Sequence, residues 1–359
     1  MQWGLTFFDG SIEFAMNPDL RIFNQIFSDT TNSYKFLWFL AILDQLRDNP
    51  DVRTMSFEDL TVRMVNRAWY PMNTFRLSFG SQDSIRNVVL RLSLTMVDYS
   101  VPPRSWNTEE RASINKTLSR WVPYRFIRPF FESQTRGLPD HKVNSIIQRL
   151  SQSIGSTAPY EVHSDHIILK EGWLDLIQSQ FTVFADFTEH RLCHFLQKHN
   201  PNVPGIINKL HKPEISNLTK QRKLWLEVFR RHRDLTCIYT DQVPRHIAID
   251  HFLPWTFTTH DLCWNLVGCD PISNIRKSNS LPSLNRYMNP FLERQHVFFK
   301  DVFASKPSDK LLEDYVTLFK TSGSDIASME PTRFGDILSE TIRTQHQIAK
   351  NMGFREGWG

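Results

Sequence analysis

From Ser33 to Asp48 the chain reads SYKFLWFLAILDQLRD, a broad apolar band behind a Ser/Asn-rich start, and this pattern predicts a helix. SFEDLTVRMVNRAW, residues 56–69, opens with Ser56 and has Asp59 three positions later, a capping-box-like start to a second helix. Apolar residues recur at helical spacing through SQDSIRNVVLRLSLTMVDY, residues 81–99, and VPP at 101–103 punctuates the run. VPYRFIRPFF, residues 122–131, is aromatic and interrupted by proline, which suggests a connector packed on the core rather than a regular helix. EVHSDHIILKEGWLDLIQSQF fits either a short strand pair or an extended lead into a helix. KHNPNVPGIINKL, residues 198–210, contains Pro201, Pro204 and Gly205 and reads as a loop entering a short helix. After Pro282, LNRYMNPFLERQHVFFKDVF, LLEDYVTLFKTSG and TRFGDILSETIRTQHQIAKNMGF read as further helices. With 27 Phe and 10 Trp, the aromatic positions of these helices favour core packing over base stacking.

One segment breaks the helical pattern. RHIAID is a short β-branched run ending at adjacent Asp250 and His251, and HDLCWNLVG offers a second strand centred on Trp264–Val267. DPISNIRKSN then starts a helix on two agreeing signals, Asp270 as N-cap and Pro271 at the first helical position. Asn274 and Lys277 share a face of that helix. The fold class is therefore mainly α, with helical regions on both sides of a small strand–strand–helix unit.

Such a unit suits phosphodiester hydrolysis. In-line attack needs a deprotonated water, and a neutral imidazole can take that proton near physiological pH. A divalent ion relieves charge on the phosphoryl oxygens, and Asp carboxylate and Asn carbonyl oxygens suit Mg²⁺. The ordered set D-H, P, W-N-L-V and N-x-x-K-S resembles the HNH motif of the His-Me finger (ββα-metal) nucleases. It is also similar to the HNH domain of CRISPR RNA-guided nucleases, including the LPS after the helix, over roughly residues 237–285. The resemblance implies that His251 is the general base, that Asp250 and Asn274 hold a single Mg²⁺ (or Mn²⁺), and that Asn265 orients His251 and its loop. It further implies phosphate contact by Lys277 and Arg276. His246 and His260 do not match the motif and are read as bystanders. Many HNH proteins add a zinc held by two Cys-x-x-Cys pairs, but Thr240 and Ser273 interrupt that pattern here, so no structural zinc is expected. The finger then depends on the surrounding helices and on Trp255, Phe257 and Trp264 for bracing, since so small a unit lacks its own core.

Charge and composition narrow the picture less. The net charge of +4 and pI near 8.8 are only mildly basic. TKQRKLWLEVFRRHR, residues 219–233, is more pointed, with six Lys and Arg against a single Glu227 directly before the motif. It suggests nucleic-acid contact through Arg230, Arg231 and Arg233, with Arg245 nearby. Four cysteines are too few and unevenly spaced for a disulfide framework. No run approaches the roughly 20 apolar residues of a membrane span, and MQWGLTFFDGSIEF lacks the pattern of a secretion signal. A cytoplasmic protein with no membrane partner is expected. The domain reading is a helical DNA- or partner-binding region at 1–230, the HNH nuclease unit at 231–285 and a C-terminal helical region at 286–359. The flanks resemble those of HNH proteins of bacterial anti-phage defence and restriction-type systems, which implies a DNA-cutting effector acting on double-stranded DNA with a protein partner. No Walker-type phosphate loop is present. An RNA-cutting nuclease and a non-catalytic nucleic-acid-binding scaffold are the alternatives.

Overall fold

The computed structural model describes residues 18–359 apart from 29, 97, 99, 100, 104, 214 and 215. MQWGLTFFDGSIEF, and Val97 and Tyr99 of the third apolar run, lie outside the described residues. The described residues form two compact units, one within 18–69 and 79–199 and one within 70–78 and 200–359.

The first unit contains α1 (Leu20–Gln25), α2 (Tyr34–Asp48), β1 (Thr54–Ser56), α3 (Phe57–Trp69), α4 (Ser84–Ser93), α5 (Thr108–Leu118) and α6 (Val122–Ile127). It continues with α7 (Glu132–Thr135), α8 (Asp140–Ser151), β2 (Tyr160–Val162), β3 (His166–Leu169), α9 (Glu171–Ser179) and α10 (Phe181–His199). Helix α2 is buried all round from Phe36 to Leu43, which is why its sequence shows a band instead of a stripe. Phe39 stacks on Phe126 at 5.6 Å and meets Phe23 edge-on at 5.0 Å. Arg67 ties α3 to Asp44 of α2 at 2.6 and 2.7 Å and to Glu189 of α10 at 3.0 Å. Ser56 caps α3 as expected, its hydroxyl accepting the Asp59 N–H at 3.0 Å.

Two readings of this unit are settled by the fold. EVHSDHIILK is a strand pair, with β1, β3 and β2 forming an antiparallel sheet in that order before α9 begins. VPYRFIRPFF is not a connector but α6 followed by a 3₁₀ turn at Arg128–Phe131. Its prolines fall at the first positions of each helical piece, where a missing N–H costs nothing.

The second unit contains α11 (Thr219–Arg231), β4 (Ala248–His251), α12 (Trp255–Thr258), β5 (Leu266–Cys269), α13 (Pro271–Lys277), α14 (Leu284–Ser305), α15 (Glu313–Phe319), α16 (Gly323–Ser328) and α17 (Pro331–Asn351). One apolar cluster runs from α11 through both strands to α14 and α17. Trp225 of α11 stacks on Phe298 at 4.5 Å, and Phe252 stacks on Phe291 at 4.0 Å. Buried Gln295 of α14 donates to the Leu266 carbonyl at 2.6 Å and accepts from the Tyr315 hydroxyl. Of the three aromatics expected to brace the finger, Phe257 meets Phe354 at 5.9 Å, but the tightest stacks come from Trp225 and Phe291. The chain also returns to the stretch between α13 and α14, with Trp358 N–H donating to the Leu281 carbonyl at 3.1 Å.

Strand β5 lies so close to α11 that residue 268 has no room for a side chain. A Cβ there would sit 2.6 Å from the Phe229 ring and 3.1 Å from the Trp225 ring. Gly268→Ala is expected to destabilise this unit by about 1–3 kcal/mol through overpacking, read as a lower urea midpoint at unchanged slope.

Candidate active site

β4 and β5 pair antiparallel, which sets Asp250 opposite Val267 and His251 opposite Leu266. Asn265, fully buried, clamps the loop that follows: its side chain accepts the Leu253 N–H at 2.8 Å and donates to the Leu253 carbonyl at 2.9 Å. Its backbone carbonyl accepts the Phe252 N–H at 2.8 Å, so three hydrogen bonds hold the two residues after His251. Helix α13 starts on the expected cap, Asp270 accepting the Ser273 N–H at 2.9 Å with Pro271 in the first turn. Cys237 Sγ accepts the Tyr239 and Asp270 N–H groups at 3.4 and 3.2 Å, joining the start of the segment to the cap.

Asp250 is buried at 4 % exposure, and both of its oxygens are engaged. One accepts the Tyr239 hydroxyl, and the Lys277 ammonium lies 3.1 Å from each. Lys277 Nζ also donates to the His251 carbonyl at 2.7 Å, and the side chain is fully buried. Where the family resemblance implies phosphate contact, the structure thus sets Lys277 against Asp250. Burial, and next the Asp250 charge, push the Tyr239 phenol well above its ordinary value. Tyr239 in turn packs edge-on against Trp358 at 5.0 Å and Tyr287 at 5.2 Å.

His251 is mostly buried, and its Nε2 lies 2.9 Å from Asp261. Asp261 is itself anchored, its carboxylate accepting the Ser216 hydroxyl at 2.9 Å and its carbonyl the Gln221 amide at 3.3 Å. Burial raises the Asp261 carboxyl, but the hydrogen bonds from His251 and Ser216 outweigh it and hold the group below its usual range. Burial pulls the neighbouring His260 down to about 4, with the nearby His251 adding to the shift. The preceding Thr259 is left-handed, at φ 53°, and its hydroxyl accepts the Lys209 ammonium at 3.0 Å. Lys209, fully buried, also donates to the Pro204 carbonyl, and burial lowers its ammonium to about 7.

Asn274 is half-buried on α13, and its amide nitrogen donates to the Ile249 carbonyl at 3.4 Å. Beside β4 lies a cavity of about 600 Å³ whose lining includes Ser216, Arg222, His246, Ala248, Ile249 and Pro271. Helix α11 buries Leu224, Trp225 and Val228 and turns Lys220, Arg222, Lys223 and Arg230 outward. Arg233, Arg245 and Arg276 are exposed as well. Arg231 is engaged, its guanidinium reaching Asp301 at 2.6 Å with His232 on the same carboxylate at 3.2 Å.

The strand pair, the clamped loop and the following helix make a complete ββα unit with an Asp-His pair at its strand end. Residues 237–283 match the HNH endonuclease family. Comparison with curated proteins and with solved structures found no match. The HNH unit implies a nuclease that acts on nucleic acid, and the family's usual chemistry a divalent metal. The donor set fits such an ion: the Asp250 oxygen that faces Lys277 alone keeps a lone pair, and Asn274, donating through its nitrogen, has its oxygen to offer. One carboxylate and one amide oxygen suit a hard cation that retains water. Among the described residues no group of three or more His, Cys, Asp or Glu side chains is placed to hold a metal ion.

Tyr239, Asp261, Ser216 and Lys209 went unnoticed in the sequence. Asp261 had a signal, since an acid follows the bystander His260 in TTHDL. Lys209 had none, because a buried lysine reads like any other in NKLHK.

Lys277→Met should leave Asp250 as an uncompensated buried charge and cost about 3–5 kcal/mol. The double variant Asp250→Asn with Lys277→Met should regain much of that loss in urea unfolding. Lys209 predicts a pH effect of definite sign. The unfolded chain keeps this proton up to the ordinary 10.5, the folded chain only up to about 7. Between those values the unfolded state binds more protons, so stability rises with pH. The melting temperature should therefore climb from pH 7 towards 10, and Lys209→Met should flatten that climb.

Proposed function

We propose that the HNH unit hydrolyses phosphodiester bonds of double-stranded DNA with His251 as general base. The observation that carries this reading is the His251–Asp261 pair. With Nε2–H donated to Asp261, the neutral imidazole has Nδ1 free of its proton and able to accept one from water. Asp261 acts as a positioning residue that selects this tautomer and stabilises the imidazolium formed when the proton arrives, the logic of an oriented base in other hydrolases. Its carboxyl, held below the usual range, stays ionised throughout the working range.

Asp250 and Asn274 would hold the divalent ion, proposed as Mg²⁺ or Mn²⁺. Bound there, the ion supplies charge relief for the phosphoryl and leaving oxygens. Lys277 balances the Asp250 charge and, through the His251 carbonyl, holds the backbone that presents the base. Asn265 keeps the loop after His251 from shifting. Arg222 on the cavity wall, with the exposed Arg230, Arg233, Arg245 and Arg276, supports backbone phosphate contact, which adds affinity without sequence readout. The proposed setting is a bacterial defence or restriction-type system, supported by the likeness of the flanking stretches. An RNA substrate is the second reading, and it rests on the same site because the base and the phosphate contacts are indifferent to the sugar.

Supercoiled plasmid and labelled RNA, each with Mg²⁺, Mn²⁺ or chelator, test the proposal. Nicked or linear DNA should form only with divalent ion, and His251→Ala should slow it by about 10²–10⁴-fold. Asp261→Asn should cost about 10–100-fold and change the pH profile of the rate while leaving DNA affinity unaltered. Cutting of RNA alone would favour the second reading. Equal cutting by wild type and His251→Ala would remove the catalytic role.

A further inference from the structure

Helix α10 of the first unit carries two histidines that the nuclease reading does not use, His190 and His194. Residues four apart share a helix face, and H-x-x-x-H is the spacing by which helical histidines chelate a metal ion. Both side chains are exposed, on the face turned away from the buried Phe184, Thr188, Leu192 and Phe195. Their Nε2 atoms lie 3.1 Å apart, with ring centroids at 4.5 Å and planes at 79°. Two imidazole nitrogens bound at about 2.0–2.1 Å to one ion stand about 2.9–3.4 Å apart, from octahedral to tetrahedral angles. The pair has that separation. Without an ion, one Nε2–H donates to the other Nε2, and a metal would take the place of the shared proton.

The backbone beneath the pair is held firmly. Phe184 meets Phe23 edge-on at 5.2 Å, and Phe195 packs on Phe36 at 5.6 Å. Arg191 donates to the Asn24 side-chain oxygen at 2.9 Å, and Glu189 accepts from Arg67 at 3.0 Å. Chelation therefore orders only two side chains on a rigid helix, which keeps its entropic cost low. Asp186 stands a turn before His190 and is exposed, but among the described residues no group of three His, Cys, Asp or Glu side chains is placed to hold an ion. Two protein nitrogens are thus the donor set.

We propose that His190 and His194 chelate one divalent transition-metal ion of the Zn²⁺, Ni²⁺ and Cu²⁺ class, with water in the remaining positions. Imidazole nitrogen suits these ions, whereas Mg²⁺ takes oxygen ligands. The ion is therefore of a different class from the one proposed at Asp250 and Asn274. Bound across one turn of the folded helix, it stabilises the first unit by mass action. The proposal is independent of whether the HNH unit cuts DNA, because its readout is binding.

Isothermal titration of the full chain with Ni²⁺, Zn²⁺ and Mg²⁺ tests it, together with the electron paramagnetic resonance spectrum of the chain given one equivalent of Cu²⁺. Ni²⁺ and Zn²⁺ should bind, an excess of Mg²⁺ should not displace them, and the Cu²⁺ spectrum should show splitting by two nitrogen ligands. Losing a ligand should cost no less than losing a group that orients one, so His190→Asn or His194→Asn should weaken the site by at least about tenfold. The double variant should lose one bound ion per chain while its metal-free melting temperature stays at the wild-type value, since both side chains are exposed. His163→Asn with His166→Asn, whose rings stack in parallel at 4.6 Å, should leave this site's affinity unchanged. Asp250→Asn with Lys277→Met should also retain it. No binding of Ni²⁺ or Zn²⁺, or the same affinity and stoichiometry in the His190 and His194 double variant, would overturn the proposal. So would binding lost in the Asp250 variant and kept in the histidine variants.

Discussion

Asp250 buries a carboxylate almost completely, and the ββα unit is arranged around that constraint. An isolated charge at such a position would be neutralised or would unfold its surroundings. Lys277 and Tyr239 prevent this, and each imposes geometry in doing so. Lys277 can reach Asp250 only if α13 lies across β4, and that crossing also brings Asn274 to the Ile249 carbonyl. Tyr239 can reach it only if the segment from Cys237 folds back, where Tyr287 and Trp358 hold the ring. Buried ion pairs add little net stability, but breaking one is costly, so the pair specifies how the helix docks.

The same dependence extends outward. With Cys237 giving only backbone hydrogen bonds, the small unit needs a core from elsewhere, and α11, α14 and α17 provide it. Gly268 lets β5 approach the α11 rings, and Gln295 satisfies a strand carbonyl that the two-stranded sheet leaves open. Basic α11 is therefore both a wall of the core and the cationic border of the cavity beside β4. The Lys209–Thr259 contact secures the loop bearing Asp261, at the cost of burying an ammonium.

Much of this was legible in the chain. The helices at 34–48, 57–69, 284–305 and 331–351, the Ser56 and Asp270 caps and the strand–strand–helix order all follow from periodicity and capping, which act over a few residues. The ambiguous stretch at 161–181 holds β3, which pairs with β2 on one edge and, on the other, with β1 from more than a hundred positions earlier. The connector at 122–131 was misread because its prolines looked like breaks, when each stands at the tolerant first turn of a helical piece.

At the site the division is sharper. The sequence by itself determined the ordered residues of the HNH motif and the local elements that bear them, since both are properties of short spacing. Only the tertiary structure decided the partners: Lys277 with Asp250 across 27 positions, Asp261 with His251 across 10, and Lys209 with Thr259 across 50. Spacing along the chain says nothing about which charged group loses its water. That loss occurs only when elements pack, and it is what turns a lysine expected at phosphate into the counter-charge of a buried carboxylate.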